Sequence, residues 1–140
     1  MPGASFIDTN VWVYAHLQDS NDPRCGRAWA LVQRSPGAVI SAQVASEYFN
    51  VMRRNGTEEP RIQRNLSRML NRCVVQPMDL AVIRRTLAIR SRYGFSIWDS
   101  QIVAAALEAG CDTLYTEDLQ DGQVIDGVRI VNPLRESLLD

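Results

Sequence analysis

Short apolar runs alternate with helical patterns along the whole chain, and this alternation restricts the fold more than any other feature. Each run is three or four residues long and is followed by turn or cap residues and then by a helical segment. Strands separated by helices pair in parallel and are covered on both faces. We therefore predict an α/β fold of three layers, with a central parallel sheet of five strands at residues 4–7, 38–40, 73–75, 113–115 and 128–131.

The helices are predicted from the spacing of apolar residues and from capping residues. Thr57 and Asp79 are typical residues before a first turn, and Gly94 and Gly110 are typical residues after a last turn. The predicted helices cover residues 11–17, 21–34, 42–54, 79–93 and 96–109, and one more runs from Thr57 to the third strand.

Bulk composition describes an ordinary globular chain. With 140 residues, it is predicted to form one domain, residues 1–140. No apolar run approaches the roughly 18 residues of a membrane span, and a signal-peptide pattern is absent, which favours a cytoplasmic protein. The three cysteines are widely spaced and only one histidine accompanies them, which favours free thiols over a disulfide framework or zinc site.

Four acidic residues lie at the ends of predicted strands or in the first turns of the helices beyond them: Asp8, Glu47, Asp99 and Asp118. Open α/β sheets bind their ligands at this edge. Carboxylates gathered there repel one another unless a cation lies between them, and oxygen ligands suit Mg²⁺ or Mn²⁺. The pattern predicts a divalent-metal site, which usually serves phosphoester chemistry.

Each acid also has a structural interpretation. Asp8 is placed as the N-cap of a helix, and Ser96 with Asp99 matches a capping box. These roles are compatible with metal binding, because a helix N-terminus points its first side chains toward the same edge. Glu47 lies beside the apolar arc of its helix, where an unpaired acid is costly, so a functional role is favoured there.

All fifteen basic residues are arginine, although the net charge of −1 gives no overall attraction to nucleic acid. Four of them share one face of the helix after Thr57, opposite its apolar stripe: Arg61, Arg64, Arg68 and Arg72. A solvated face is one interpretation. The other is an RNA-binding face that contacts phosphates, to which Arg53 and Arg54 would add.

The sequence resembles the PIN-domain family, and within it the VapC-type toxins of bacterial toxin–antitoxin modules. The resemblance covers essentially the whole chain and rests on four motifs in order: residues 7–10 (IDTN), Glu47, residues 94–99 (GFSIWD) before an alanine-rich helix, and residues 114–119 (LYTEDL). It implies a PIN fold with strand order 3-2-1-4-5 and a Mg²⁺- or Mn²⁺-dependent endoribonuclease. It also implies a homodimer that a cognate VapB-like antitoxin holds inactive.

By position, the resemblance makes Asp8, Glu47, Asp99 and Asp118 the catalytic acids, with Asp8, Asp99 and Asp118 as metal ligands. Asn10 and Thr116 match polar helpers that orient ligands or water. Asp121 falls where some relatives carry a further acid, so we count it as a supporting residue. Glu117 precedes the motif acid and is expected to point away.

Two other functional classes stay open at this stage. A receiver-like phosphoacceptor domain also clusters acids around Mg²⁺, but it needs a lysine near them and the chain has none. A non-catalytic RNA-binding scaffold does not need four converging acids, which repel phosphate when no metal is bound. His16, the single histidine, has no partner for a histidine acid–base pair and is expected at the surface.

Overall fold

The computed structural model describes residues 3–136 and contains six strands and six helices in that range. In chain order the elements are β1 (Ser5–Ile7), α1 (Thr9–Leu17), α2 (Pro23–Gln33), β2 (Val39–Ser41), α3 (Ala42–Arg54), α4 (Glu59–Arg72), β3 (Val74–Gln76), α5 (Leu80–Tyr93), α6 (Ile97–Glu108), β4 (Thr113–Tyr115), β5 (Val124–Ile125) and β6 (Val128–Val131).

One sheet contains all six strands in the order β3-β2-β1-β4-β6-β5. The five predicted strands are all present and parallel, and the predicted order is confirmed, with β6 as the fifth strand. The strand β5 was not predicted. It pairs antiparallel with β6 through a tight turn at Asp126 and Gly127, where φ is 47° and 92°. Positive φ at both central residues is the geometry of a two-residue hairpin turn, which Asp-Gly favours.

The centre of the sheet is buried on both faces. Neighbouring residues of β1, Phe6 and Ile7, point to opposite faces and are both 0% exposed. Leu114 and Ile130 on the adjoining strands are equally buried. Helices must therefore cover both faces, and the predicted three-layer arrangement follows.

Most predicted helix ends agree with the structure. Asp79 accepts a hydrogen bond from the backbone N–H of Val82 and caps α5. Gly94 follows this helix in the left-handed region, with φ of 73°. The Thr57 prediction is wrong, because Glu58 holds the N-cap position of α4 and no side chain caps it. Pro60 in the first turn fixes the start of this helix instead.

Two further predictions concern composition. Cys25 and Cys111 are buried, Cys73 is half-buried, and all three thiols are free, as predicted. None of the helices in residues 3–136 combines the length and the apolar character that a membrane crossing requires.

Candidate active site

Asp8 connects the central strand to the first helix. It follows β1 directly and caps α1, with one carboxylate oxygen accepting from the Thr9 backbone N–H at 2.7 Å. The other oxygen accepts from the Thr116 hydroxyl at 2.8 Å. The residue is only 4% exposed. Burial, aided by the charges of Asp118 and Glu47, raises the pKa of Asp8 to about 7 against the lowering effect of these two hydrogen bonds.

Glu47 lies in the second turn of α3 and is half-buried. Its two oxygens accept hydrogen bonds from different helices: the Thr9 hydroxyl at 3.0 Å and the Gln43 amide at 2.8 Å. Thr9 thereby joins two acids, since its backbone N–H contacts Asp8 and its hydroxyl contacts Glu47. These two bonds hold the carboxylate of Glu47 toward the start of α1.

Asp99 and Asp118 complete the set from the other half of the chain. The Ser96 hydroxyl caps α6 by accepting from the Asp99 backbone N–H at 3.1 Å. Burial raises the pKa of Asp99, and the charges of Asp118 and Glu47 add to this. Burial likewise raises the pKa of Asp118, against a hydrogen bond from Asn10, and the charge of Glu47 adds to it. The four acids therefore act electrostatically on one another.

A single cavity of about 460 Å³ is lined by all four acids and by Asn10. Thr116 lies beneath it, 1% exposed, where its hydroxyl donates to Asp8 and accepts from the Asp118 backbone N–H at 3.1 Å. The strand ends thus gather these residues as the sequence pattern predicted, and the capping roles of Asp8 and Ser96 coexist with that arrangement.

Two acidic residues behave differently from expectation. Glu117 was expected to point away, yet it lines the cavity beside Tyr14, which hydrogen-bonds it. The chain leaves strand geometry after Tyr115, so strict alternation of sides ends there. Asp121, predicted as a supporting acid, is not among the lining residues. Its carboxylate accepts from the Asn132 backbone N–H at 2.9 Å and pairs with Arg135 at 2.7 Å, which ties the loop after β4 to the end of β6.

Sequence reasoning missed several side chains of the cavity, among them Tyr14, Gln43 and Trp98. Tyr14 lies four residues after Asn10, and therefore on the same face of α1, which is a signal that could have found it. Gln43 lies one turn before Glu47 on α3 for the same reason. Trp98 is 62% exposed beside Asp99, an unusual position for an indole.

The donor atoms of the cavity suit a hard divalent cation. Within residues 3–136, no arginine or histidine forms an ion pair with any of the four acids. The side-chain oxygens of Asn10 and Gln43 are buried without a hydrogen-bond partner. In the same range, Asp, Glu, His and Cys side chains form no group of three spaced to hold a metal as they stand. A divalent ion would therefore have to draw the carboxylates together. The uncompensated carboxylates and the unpartnered amide oxygens fit such an ion, because they are hard oxygen donors.

The four arginines of α4 lie elsewhere. Arg61, Arg64, Arg68 and Arg72 are exposed and line a second cavity, together with His16. His16 was expected at the surface, but it is half-buried within α1. The prediction failed because Tyr48 of α3 and Trp12 of α1 both pack against the imidazole ring.

Residues 5–121 match the family model described as PIN domain, so this chain belongs to the PIN-domain family. That finding confirms the resemblance that implied a PIN fold and its strand order. No curated protein matches the sequence.

Solved structures share the fold at low sequence identity. A toxin–antitoxin complex from Klebsiella pneumoniae contains a chain 23% identical, with a TM-score of 0.69 over 94% of this chain and 98% of that one. VapC20 from Mycobacterium tuberculosis, a toxin that cleaves the sarcin–ricin loop, is 18% identical, with a TM-score of 0.68 over 82% and 92%. VapBC-1 from nontypeable Haemophilus influenzae is 17% identical, with a TM-score of 0.65 over 96% and 100%.

Proposed function

We propose that this chain is a Mg²⁺- or Mn²⁺-dependent endoribonuclease that hydrolyses RNA phosphodiester bonds, and that it is the toxin of a VapBC-like toxin–antitoxin pair. The observation that carries the proposal is the cavity in which Asp8, Glu47, Asp99 and Asp118 meet without any basic partner in residues 3–136. Membership of the PIN-domain family and the fold shared with VapC20 support it.

In this proposal Asp8, Asp99 and Asp118 hold the metal, with Asn10 beside them. Held there, a divalent cation would supply Lewis acidity toward a phosphoryl oxygen and would lower the pKa of a water molecule. Thr116 and the start of α1 orient Asp8 through the two hydrogen bonds to its carboxylate. Glu47, oriented by Thr9 and Gln43, accepts the proton of the attacking water or helps to hold a second ion.

The cavity also offers a surface for the RNA itself. The exposed indole of Trp98 lies beside Asp99, and unpaired bases stack on such rings. The alternative function, a non-catalytic RNA-binding scaffold, accounts less well for four uncompensated acids, since they repel phosphate when no cation is bound.

Asp99→Asn is expected to abolish RNA cleavage by the purified protein in Mg²⁺ or Mn²⁺ and to weaken Mn²⁺ binding. In EDTA the variant should be more stable than wild type by an amount on the order of 1 kcal/mol, because it removes a carboxylate that burial and repulsion from Asp118 and Glu47 disfavour. The cap of α6 survives, since the Asp99 backbone N–H still reaches Ser96. Cleavage assays and melting curves in EDTA and in Mn²⁺ measure both effects.

The matched control is Asp112→Asn, which removes one exposed acidic charge outside the cavity. It should cleave RNA like wild type. If Asp99 serves only the helix, Asp99→Asn instead loses a favourable charge in the first turn, at a cost of roughly 0.3–1 kcal/mol. A variant that melts lower in EDTA and gains as much from Mn²⁺ as wild type would remove Asp99 from the site.

The partners belong to the same proposal: an antitoxin and a second copy of the chain, acting in the cytoplasm. A homodimer is supported by α5, where Leu80, Ile83 and Leu87 lie on one face and are 59%, 44% and 57% exposed. Contiguous apolar side chains of this kind usually mark an interface. The acidic cavity suggests how an antitoxin would inhibit, because an arginine side chain inserted there would pair with the carboxylates and compete with the metal.

Expression of this chain alone is expected to arrest growth, and co-expression of a small protein encoded beside its gene should restore growth and yield a stable complex. The Asp99→Asn chain should not arrest growth, yet it should still bind the same protein. Growth arrest that no neighbouring reading frame relieves would contradict the toxin–antitoxin assignment while leaving the nuclease assignment intact.

A further inference from the structure

A second cavity, of about 340 Å³, lies between α1, α2 and α4. Its lining combines Arg61, Arg64, Arg68 and Arg72 of α4 with the rings of His16 and Trp29. We propose that this arginine cavity binds a nucleotide of single-stranded RNA, with the phosphate on the arginines and the base on Trp29. The inference rests on RNA being the proposed substrate, and it adds a contact separate from the acidic cavity.

Positive charge in this cavity is not compensated by nearby acids. Arg61 donates to the His16 backbone carbonyl at 3.3 Å. Arg64, Arg68 and Arg72 form no ion pair with any carboxylate of residues 3–136. Four guanidinium groups on one helix face repel one another, so an anion between them relieves the repulsion. The guanidinium fork matches phosphate oxygens in pairs, which favours phosphate as that anion.

His16 connects α4 to α1 and α3 through hydrogen bonds. Burial, together with the charges of Arg61 and Arg68, lowers the pKa of His16 to about 4. The imidazole is therefore neutral at physiological pH. Its Nδ1 lies 2.6 Å from the Tyr48 hydroxyl, which also accepts from the Asn65 amide at 3.0 Å. With one hydrogen received from Asn65, the hydroxyl donates its own to Nδ1. This chain of bonds fixes α4 against α1 and α3 and keeps the arginines in place.

Aromatic rings give the cavity a place for a base. Trp29 is 41% exposed and its ring lies 6.4 Å from that of His16, edge to face. Single-stranded nucleic acids bind where bases stack on exposed rings beside a basic groove. The volume is near the lower end of the ~300–1,000 Å³ found for small-ligand sites, which suits one nucleotide. An acidic peptide would pair with the arginines but would stack on Trp29 only through an aromatic residue, whereas every nucleotide carries a base that can stack there.

The two cavities are arranged so that one RNA strand reaches both. Helix α1 separates them: Asn10, Val13 and Tyr14 face the acidic cavity, whereas Trp12 and His16 face the arginine cavity. At its C-terminal end, Leu17 lines the first and Gln18 the second. A strand that passes over this end therefore contacts both sites. Because the acidic cavity repels phosphate without metal, the arginine cavity supplies the RNA affinity that remains in EDTA.

The test measures binding of a short fluorescent single-stranded RNA in EDTA, over a series of salt concentrations. Arg64→Gln combined with Arg68→Gln should weaken binding and flatten the salt dependence by about 1–2 units of slope, since each phosphate contact on a single strand contributes about 0.7. Arg84→Gln combined with Arg129→Gln is the control, because both arginines are exposed and lie outside the arginine cavity. The two substitutions remove the same charge as those in α4. It should leave the slope close to that of wild type.

Trp29→Leu separates base stacking from charge. It should weaken binding without changing the slope. Equal slopes for the two arginine pairs would overturn the inference. It would also be overturned if neither Trp29→Leu nor the α4 pair changed RNA binding and an acidic peptide did not displace the RNA from wild type. Because no metal is present, these results are independent of cleavage. A chain that cleaves RNA in Mn²⁺ but shows none of these effects keeps the proposed nuclease function and loses only the arginine cavity.

Discussion

Asp8→Asn is expected to be inactive in RNA cleavage and, without divalent metal, to resist unfolding better than wild type at pH 8. Asparagine is as good an N-cap as aspartate, so the start of α1 is preserved. The substitution removes a carboxylate that is only 4% exposed and whose pKa burial raises to about 7. The activity loss should exceed the 10–100-fold that is typical when a residue supporting a metal ligand is changed.

The pH dependence of stability gives this prediction its sign. The ordinary pKa of an aspartate is 3.8, so the unfolded chain releases this proton near pH 4, whereas the folded chain keeps it to about pH 7. Between these values the folded state binds more protons, and its stability falls as pH rises. Above pH 7, the ionisation of Asp8 lowers the free energy of unfolding by about 4 kcal/mol. The net gain in Asp8→Asn is smaller, because the amide keeps only part of the hydrogen bonding to Thr9 and Thr116.

His16 contributes in the opposite direction and must be separated from Asp8. Its pKa is lowered to about 4, so the folded state gains stability as pH rises from there toward the ordinary value of 6.5. Wild type and Asp8→Asn both contain this histidine, so the difference between their free energies of unfolding isolates the effect of Asp8. Denaturant titrations in EDTA at pH 5 and pH 8 suffice. Equal pH dependence in the two proteins would show that Asp8 ionises like an exposed acid.

RNA binding by the same variant distinguishes the two candidate functions. A nuclease that has lost a metal ligand should still bind RNA in EDTA as tightly as wild type does. Cleavage at the wild-type rate by Asp8→Asn would exclude the proposed catalytic role of Asp8, whereas a wild-type protein that binds RNA but cleaves none in Mg²⁺ or Mn²⁺ would favour the scaffold interpretation.

The clustering of the acids in one cavity was predictable from sequence where it depends on strand ends. Asp8 follows β1 and Asp118 lies just beyond β4, and parallel neighbours bring their carboxyl ends to one edge. Glu47 was predicted because an acid beside an apolar arc needs a partner, and the structure supplies Thr9 and Gln43. These inferences need only the ends of the strands and helical periodicity, which are local in the sequence, whereas the strand order was implied by the family resemblance.

The sequence predictions were wrong where tertiary contacts or irregular backbone determine the position of a residue. The strand β5 is two residues long, too short for an alternation pattern, although the Asp-Gly turn after it was a readable signal. Glu117 lies in the bend after β4, where side-chain direction follows no period. His16 is half-buried because residues distant in sequence pack on it, most directly Tyr48 of α3. Nothing in the neighbouring sequence of α1 indicates that contact.

Thr116→Val is expected to reduce metal-dependent cleavage by about 10–100-fold and to destabilise the fold by about 1–3 kcal/mol. Valine has nearly the shape of threonine, so the change removes a hydroxyl rather than packing volume. That hydroxyl donates to Asp8 at 2.8 Å and accepts from the Asp118 backbone N–H at 3.1 Å, so both partners are left unsatisfied. Mn²⁺ titrations of cleavage and denaturant unfolding measure the two effects.

The pH profile shows whether Thr116 acts through Asp8. The hydrogen bond from Thr116 lowers the pKa of Asp8 against burial, so its loss should raise that pKa and move the rise of activity to higher pH. Thr116→Ser keeps the hydroxyl and should restore both the rate and the profile. Thr86→Val is the matched control, since Thr86 is 2% exposed and its hydroxyl bonds only the Val82 carbonyl within α5. It should lose stability without any change in cleavage. A Thr116→Val protein that behaves like this control would assign Thr116 to the fold alone.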